Sequence, residues 1–336
     1  MRRELIFQAL DNQPVSRVPT GFWFHFLPQA ETEDWRENPR LLELNVAGHQ
    51  AFLRAHRPDM VKIMTDGFFL YPTPGLFQPV DLSLVMALDP GHNWIRAQAS
   101  LARRVRAIQE DAAYFYNIFS PITSLRLKIG LERLKLFHQA QPEAFAKALG
   151  RLTQGLINLI RSVLVDGKAD GIYLSVQNPD QSYFSEDFCR QVLAPGEKAL
   201  LLAARELGGR NILHICGHSQ VRNNLALYAD YPAEAFNWAV NLEGVSLGAG
   251  RAIFGGRAVL GGFDHAPGSL LTQESRERIK ATARELIREA GPEGLILGAD
   301  CALPSDIELE RLEWVREAGL EAIRYGGQAG RAPVAL

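Results

Sequence analysis

His214 and Cys216 stand two residues apart in the segment His214-Ile215-Cys216-Gly217-His218, and Cys301 lies far downstream in Gly298-Ala299-Asp300-Cys301-Ala302-Leu303-Pro304. Residues two apart on an extended strand project to the same face, so this imidazole and thiol can meet one ligand. With a second thiol they form a soft donor set suited to zinc. Three protein ligands with a fourth position open is the catalytic pattern, because structural zinc sites usually close with four. No second tight pair of ligands is present, so the fold itself would have to assemble the site. The competing reading is burial alone, since cysteine is among the residues most often found in protein interiors. His218, beyond Gly217, reads as a solvated loop histidine, and Cys189, in the helical pattern Glu186 to Leu193, as a core thiol.

What could bring residues so far apart together? Short apolar runs recur at Val18–Phe24, Met60–Met64, Tyr114–Phe119, Gly171–Val176, Asn211–Ile215, Ala235–Val240, Ala258–Gly261 and Leu295–Gly298. Their length and bounding residues suit buried strands. Between them, helix-period stretches cover Pro142–Val165 and Glu274–Ala290. Ser305 with Glu308 reads as a capping box that opens a further helix, through Leu309, Leu312 and Val315 to Gly319. Strands alternating with helices imply a parallel sheet, and eight of them close a barrel. The expected fold is therefore an α/β (β/α)8 TIM barrel, with a doubly wound open sheet as the runner-up. His214, Cys216 and Cys301 then sit at carboxyl ends of strands, which meet around one mouth. The long stretch Thr65–Ala113, with four prolines, reads as an extended loop excursion over that mouth.

Composition bounds the partners. The chain has 336 residues, 47% hydrophobic and 22% charged, with Lys+Arg 36 against Asp+Glu 38 and a formal net charge of −2. There is no basic excess to neutralise phosphates, which argues against nucleic acid as a partner. No apolar run reaches the ~18–20 residues of a membrane span, and the start Met1-Arg2-Arg3-Glu4 does not resemble a signal peptide. A cytoplasmic location without a membrane partner is expected. Three cysteines make a poor disulfide framework. No linker or composition shift divides the chain, so one domain over residues 1–336 is expected, with the oligomeric state open.

The segments that surround these residues resemble the superfamily of uroporphyrinogen decarboxylase and the cobalamin-dependent methyltransferases, including methylcobalamin:coenzyme M methyltransferases. The likeness is carried by Arg17-Val18-Pro19, Ile63-Met64-Thr65-Asp66, Pro121-Ile122-Thr123, His214-Ile215-Cys216-Gly217, Gly261-Gly262-Phe263-Asp264 and Asp300-Cys301-Ala302-Leu303-Pro304. It implies a (β/α)8 barrel. Asp66 matches the decarboxylases' catalytic aspartate. Their arginine-bearing segment after the first strand reads here Phe22-Trp23-Phe24-His25-Phe26-Leu27-Pro28, their tyrosine falls near Leu127 and their histidine near Asp300-Cys301. A polycarboxylate substrate needs those cationic groups. The methyltransferase branch is known for zinc held by His-x-Cys and a distant Cys, which match His214, Cys216 and Cys301.

The resemblance thus implies zinc-dependent methyl transfer between a corrinoid (cobalamin or a corrinoid protein) and a small-molecule thiol or methylated substrate. A free thiol is mostly protonated at neutral pH, and zinc would hold it as the thiolate. Two alternatives remain: a decarboxylase-like enzyme acting on a tetrapyrrole or other carboxylate, and a non-catalytic corrinoid-protein partner with structural zinc. Asp66 and Asp264 are candidate acid/base or supporting groups, each also explicable as a turn or capping aspartate. Trp23 and His25 are candidate substrate walls at the mouth, although aromatic clusters in strands are more often core. Gln177 to Tyr183, polar almost throughout, fits a substrate loop or a solvated one; Gln177 and Tyr183 are the candidate substrate-binding residues there. The glycine-rich stretch Gly248–Gly256 lacks dinucleotide-binding spacing and is given no cofactor role.

Overall fold

The computed structural model describes residues 1–27, 29, 32–73, 81–177, 184–217 and 221–326. Each apolar run forms a strand: β1 Thr20–Gly21, β2 Met60–Ile63, β3 Ala113–Phe119, β4 Gly171–Val176, β5 Ile212–Ile215, β6 Ala235–Trp238, β7 Ala258–Phe263 and β8 Leu295–Ala299. The strands form one 8-stranded sheet in the order β1-β8-β7-β6-β5-β4-β3-β2, and every pairing is parallel. Its two ends, β1 and β2, lie against each other, so the sheet is a near-closed (β/α)8 barrel. Buried Asp59, just before β2, ties this seam: it accepts from both ends of the Arg17 guanidinium (2.6 and 2.5 Å) and from Thr20 N (3.0 Å).

Alternation along the strands sorts their side chains into two cores. Met60, Met64, Phe115, Tyr173, Ile212, Leu260 and Ile296 point into the barrel, while Val61, Ile63, Tyr116, Leu174, Leu213, Phe236, Val259 and Leu297 pack outward against the helices. Both faces are apolar, which is why the strands read as continuous runs rather than alternating ones. Helix Arg2–Leu10 packs with the inner core: Leu5, Ile6, Ala9 and Leu10 stopper the end of the barrel opposite the mouth. Each large apolar side chain buried there contributes ~1.5–3 kcal/mol.

Several sequence expectations need correction. The first run keeps only two ladder residues, because Leu303 N takes the Trp23 carbonyl (2.9 Å) and Asp66 takes the N–H groups of Phe26 and Leu27. The Thr65–Ala113 stretch is not all excursion: Asn93–Arg106 is a crossover helix, with Trp94, Ile95, Leu101 and Val105 buried. Ser305 does not cap the last helix. The Pro304 carbonyl closes a turn with Ile307 N (3.2 Å), and the helix begins only at Leu309. Gly319 does not end that helix, which runs to Gly326. A Cβ at Gly319 would lie 2.7 Å from the Val18 carbonyl oxygen, so the glycine marks close approach to the barrel wall. Helix Pro142–Val165 matches its expected span, and Arg276–Ala290 is capped by Ser275, whose Oγ accepts from Arg278 N. Cys189 is indeed a buried thiol, in the π-helical turn Cys189–Leu193, and burial pushes its pKa up to about 11.

Candidate metal centre and its pocket

Near the carboxyl end of the barrel the inward-facing positions turn polar: Lys62 on β2, Asn117 on β3, Ser175 on β4, His214 on β5 and Asn237 on β6. His214 pairs in register with Ser175 on one side and with Asn237 on the other. Cys216 follows β5 on the same face, and Cys301 follows β8. Barrel closure brings them together, with Cys216 Sγ 4.0 Å from Cys301 Sγ and Cys301 Sγ 3.7 Å from His214 Nε2. Ligand atoms of all three lie within 4.8 Å of one another. Around a tetrahedral zinc, donors at ~2.3 Å (sulfur) and ~2.0 Å (nitrogen) stand roughly 3.5–3.8 Å apart, close to these separations.

Asn237 fixes which nitrogen of His214 faces the thiols. Its Nδ2 donates to the carbonyls of Leu260 (2.9 Å) and Ala299 (3.2 Å), which turns Oδ1 toward His214 Nδ1. Oδ1 is only an acceptor, so Nδ1 carries the proton and the Nε2 lone pair is left for a metal. The Tyr173 hydroxyl donates to the same oxygen at 3.0 Å. The neighbouring Cys216 thiol, aided by His214 and Lys62, holds Cys301 well below the usual thiol range despite burial. The chemistry of this donor set and its preset tautomer fit a zinc ion.

The three donors open on a cavity of about 220 Å³, walled also by Trp23, His25, Lys62, Phe69, Phe119 and Gln177. Trp23 is buried, and its ring meets His214 edge-on at 6.0 Å between centroids. Buried Lys62 lies over the rings of Tyr173 (4.2 Å) and Trp23 (4.8 Å), and desolvation lowers its pKa to about 8 against the pull of the two thiols. Sequence reasoning passed over Lys62 and Asn237. The only trace in the sequence was a lone polar residue at an inward position of an apolar strand, which does not by itself reveal a role.

The family model for uroporphyrinogen decarboxylase (URO-D) matches residues 72–321. The chain belongs to the URO-D family. Among solved structures, this URO-D family member is similar to a methyltransferase from Methanosarcina mazei, with a TM-score of 0.72 and 17% identity over 97% of this chain and 99% of that one. It is also similar to a B12-independent methionine synthase from Shewanella sp. W3-18-1 in complex with selenomethionine, with a TM-score of 0.50 and 13% identity over 69% and 67% of the two chains. At these identities the likeness is one of fold. No curated protein matches in sequence.

The remaining expected residues of this URO-D family chain take different places. Asp66 stands behind His25 rather than on the cavity wall: Oδ1 meets His25 Nδ1 at 2.9 Å, and Oδ2 accepts from Phe26 N (2.6 Å) and Leu27 N (3.1 Å). It therefore positions the segment after β1. Gln177 lines the cavity, with Oε1 held by the Arg126 guanidinium. Asp264, following β7, is half-exposed, and its Oδ1 accepts from Ala266 N at 2.9 Å. Tyr183, Asn178, Asp180, Gln181 and His218 lie outside the described residues. No described helix is long and apolar enough to cross a membrane.

Proposed function

We propose that this chain is a zinc-dependent methyltransferase that moves a methyl group between a corrinoid, either cobalamin or a corrinoid protein, and a thiol or related acceptor. The observation that carries the reading is the meeting of His214 Nε2, Cys216 Sγ and Cys301 Sγ at near-tetrahedral spacing on a cavity wall. These three residues would hold the metal. Zinc supplies thiol activation when bound, keeping a substrate sulfur deprotonated and in place.

The chain's own residues do the rest. Asn237 holds the proton on His214 Nδ1. Lys62 offsets the negative charge that two thiolates and an incoming sulfur would gather. Trp23, Phe69 and Phe119 exclude water from the transfer path, while His25, steadied by Asp66, and Gln177 contact the substrate. A cavity of about 220 Å³ admits a small thiol or methylated compound but not a corrinoid macrocycle, which would present its methyl group from the mouth. The decarboxylase alternative fits less well. No arginine lines the described cavity, and the Asp66 carboxylate is taken up by two backbone N–H groups and His25.

Metal analysis of the purified protein, paired with methyl transfer from methylcobalamin to a small thiol, tests the proposal. We expect about one zinc per chain, and both zinc and activity lost in Cys216→Ser. A protein without zinc, or zinc content unchanged in Cys216→Ser, refutes it. Zinc without transfer would instead favour a non-catalytic partner of a corrinoid protein.

A further inference from the structure

A second group of donors sits beside the first and has a different chemistry. β7 and β8 are neighbours, with Phe263 in register with Ala299, so the residues just past both strand ends meet. There Asp264, His265 and Asp300 each offer a ligand atom within 4.8 Å of the others. Asp300 is 1% exposed, yet its carboxylate is satisfied on one side only. Oδ2 accepts from the backbone N and the Nδ2 of Asn241 (3.0 and 2.9 Å), while buried Oδ1 has no hydrogen-bond partner. His265 Nδ1 is likewise buried without a partner, 3.8 Å from Asp264 Oδ1 and too far for a hydrogen bond. No lysine or arginine pairs with either carboxylate among the described residues.

Buried polar groups in native proteins are almost always satisfied, and an unsatisfied buried oxygen next to an unsatisfied imidazole nitrogen calls for an occupant. Two carboxylates and an imidazole are hard-to-borderline donors, whereas the neighbouring set is sulfur-rich, so the two would sort cations by softness. We infer that Asp264, His265 and Asp300 form a second site, for a hard-to-borderline divalent cation, at the edge of the same pocket. His265 also lines the cavity, so a cation held there has an open side toward it. An oxygen of a pocket-bound substrate, such as a carboxylate or hydroxyl oxygen, would complete its coordination. Asp264, an acid/base or supporting candidate in the sequence with a turn aspartate as its other reading, is one of the three ligands of this inferred site. The inference does not depend on what the thiol set binds.

Mn²⁺ is the probe, titrated into the protein as purified, whatever its zinc content, with free Mn²⁺ read by electron paramagnetic resonance. The wild type should bind one equivalent. Asp264→Asn, a change at a half-exposed position, should weaken binding at least tenfold and leave zinc content unchanged; Asp300→Asn should do the same. Cys216→Ser should retain Mn²⁺ even where it loses zinc. The inference is overturned if the wild type binds no Mn²⁺, or if affinity stays within twofold in both aspartate variants. Loss of Mn²⁺ from Cys216→Ser also overturns it, because the cation would then sit on the cysteines. Retained Mn²⁺ in a protein without zinc would refute the methyltransferase reading and leave this one standing.

Discussion

Replacing Asn237 with leucine tests whether the proposed zinc site is preset by the barrel wall. The side chain is fully buried and makes four contacts that leucine cannot: Oδ1 with His214 Nδ1, Oδ1 with the Tyr173 hydroxyl at 3.0 Å, and Nδ2 with two carbonyls at 2.9 and 3.2 Å. Freed from its acceptor, His214 can change tautomer or swing. Loss of such a partner costs about 10–100-fold in metal affinity, or ~1.4–2.7 kcal/mol. The two carbonyls and the phenol left without partners cost a further ~1 kcal/mol each in folding stability, about 3 kcal/mol together. Zinc affinity is measured by competition with a chromophoric chelator on protein shown by circular dichroism to be folded, and stability by urea denaturation. Tyr173→Phe is the control: it removes one partner of Asn237 without touching His214, so stability should fall by ~1 kcal/mol with zinc affinity little changed. A zinc affinity within twofold of wild type in Asn237→Leu, while His214→Ala loses zinc, would sink the argument that this amide orients the ligand.

Two predictions concern stability away from the site. Glu197 is buried with Tyr231 donating to its Oε2 at 2.6 Å, and desolvation raises its pKa from 4.5 to about 7. The folded state keeps a proton that the unfolded chain releases. The contribution is therefore complete below pH 4.5 and is lost as pH rises through 7, a swing of about 3 kcal/mol. Glu197→Gln should therefore flatten the pH dependence and gain on the wild type between pH 5 and pH 8 in urea melts; an equal gap at both pH values contradicts this. Gly319→Ala gains ~1 kcal/mol of helix propensity but drives a methyl to 2.7 Å from the Val18 oxygen, an overpacking cost of ~1–3 kcal/mol. Tm should fall by a few degrees, and a rise would show that the helix can slide.

The strands were legible because both of their faces are buried, so runs such as Gly171–Val176 and Leu295–Gly298 need no periodicity to be seen. His214 and Cys216 were legible for a different reason, since an imidazole and a thiol two residues apart at a strand end share a face. Lys62 was hidden within Met60-Val61-Lys62-Ile63-Met64, where one charge does not change the strand assignment. The role of Asn237 was hidden because it depends on partners from four other strands, β4, β5, β7 and β8, and no spacing within β6 encodes them. Asp66 was marked by its place after the second strand, but its partners, His25, Phe26 and Leu27, come from the segment after β1, a contact set only by barrel closure. Gly319 misled, because close packing and helix termination select the same residue.

Helix Arg2–Leu10 gives the barrel a floor. The pocket is therefore a well rather than a tunnel, and whatever goes in must come out past whatever waits above. On the methyl-transfer reading proposed above, two reactants of unequal size could not pass each other in such a space: the small one would descend first, the bulky one would seat over it, and it would have to lift before the bottom empties. Turnover of that kind is ordered by geometry, and product-inhibition patterns that showed random order would mean the floor or the walls open.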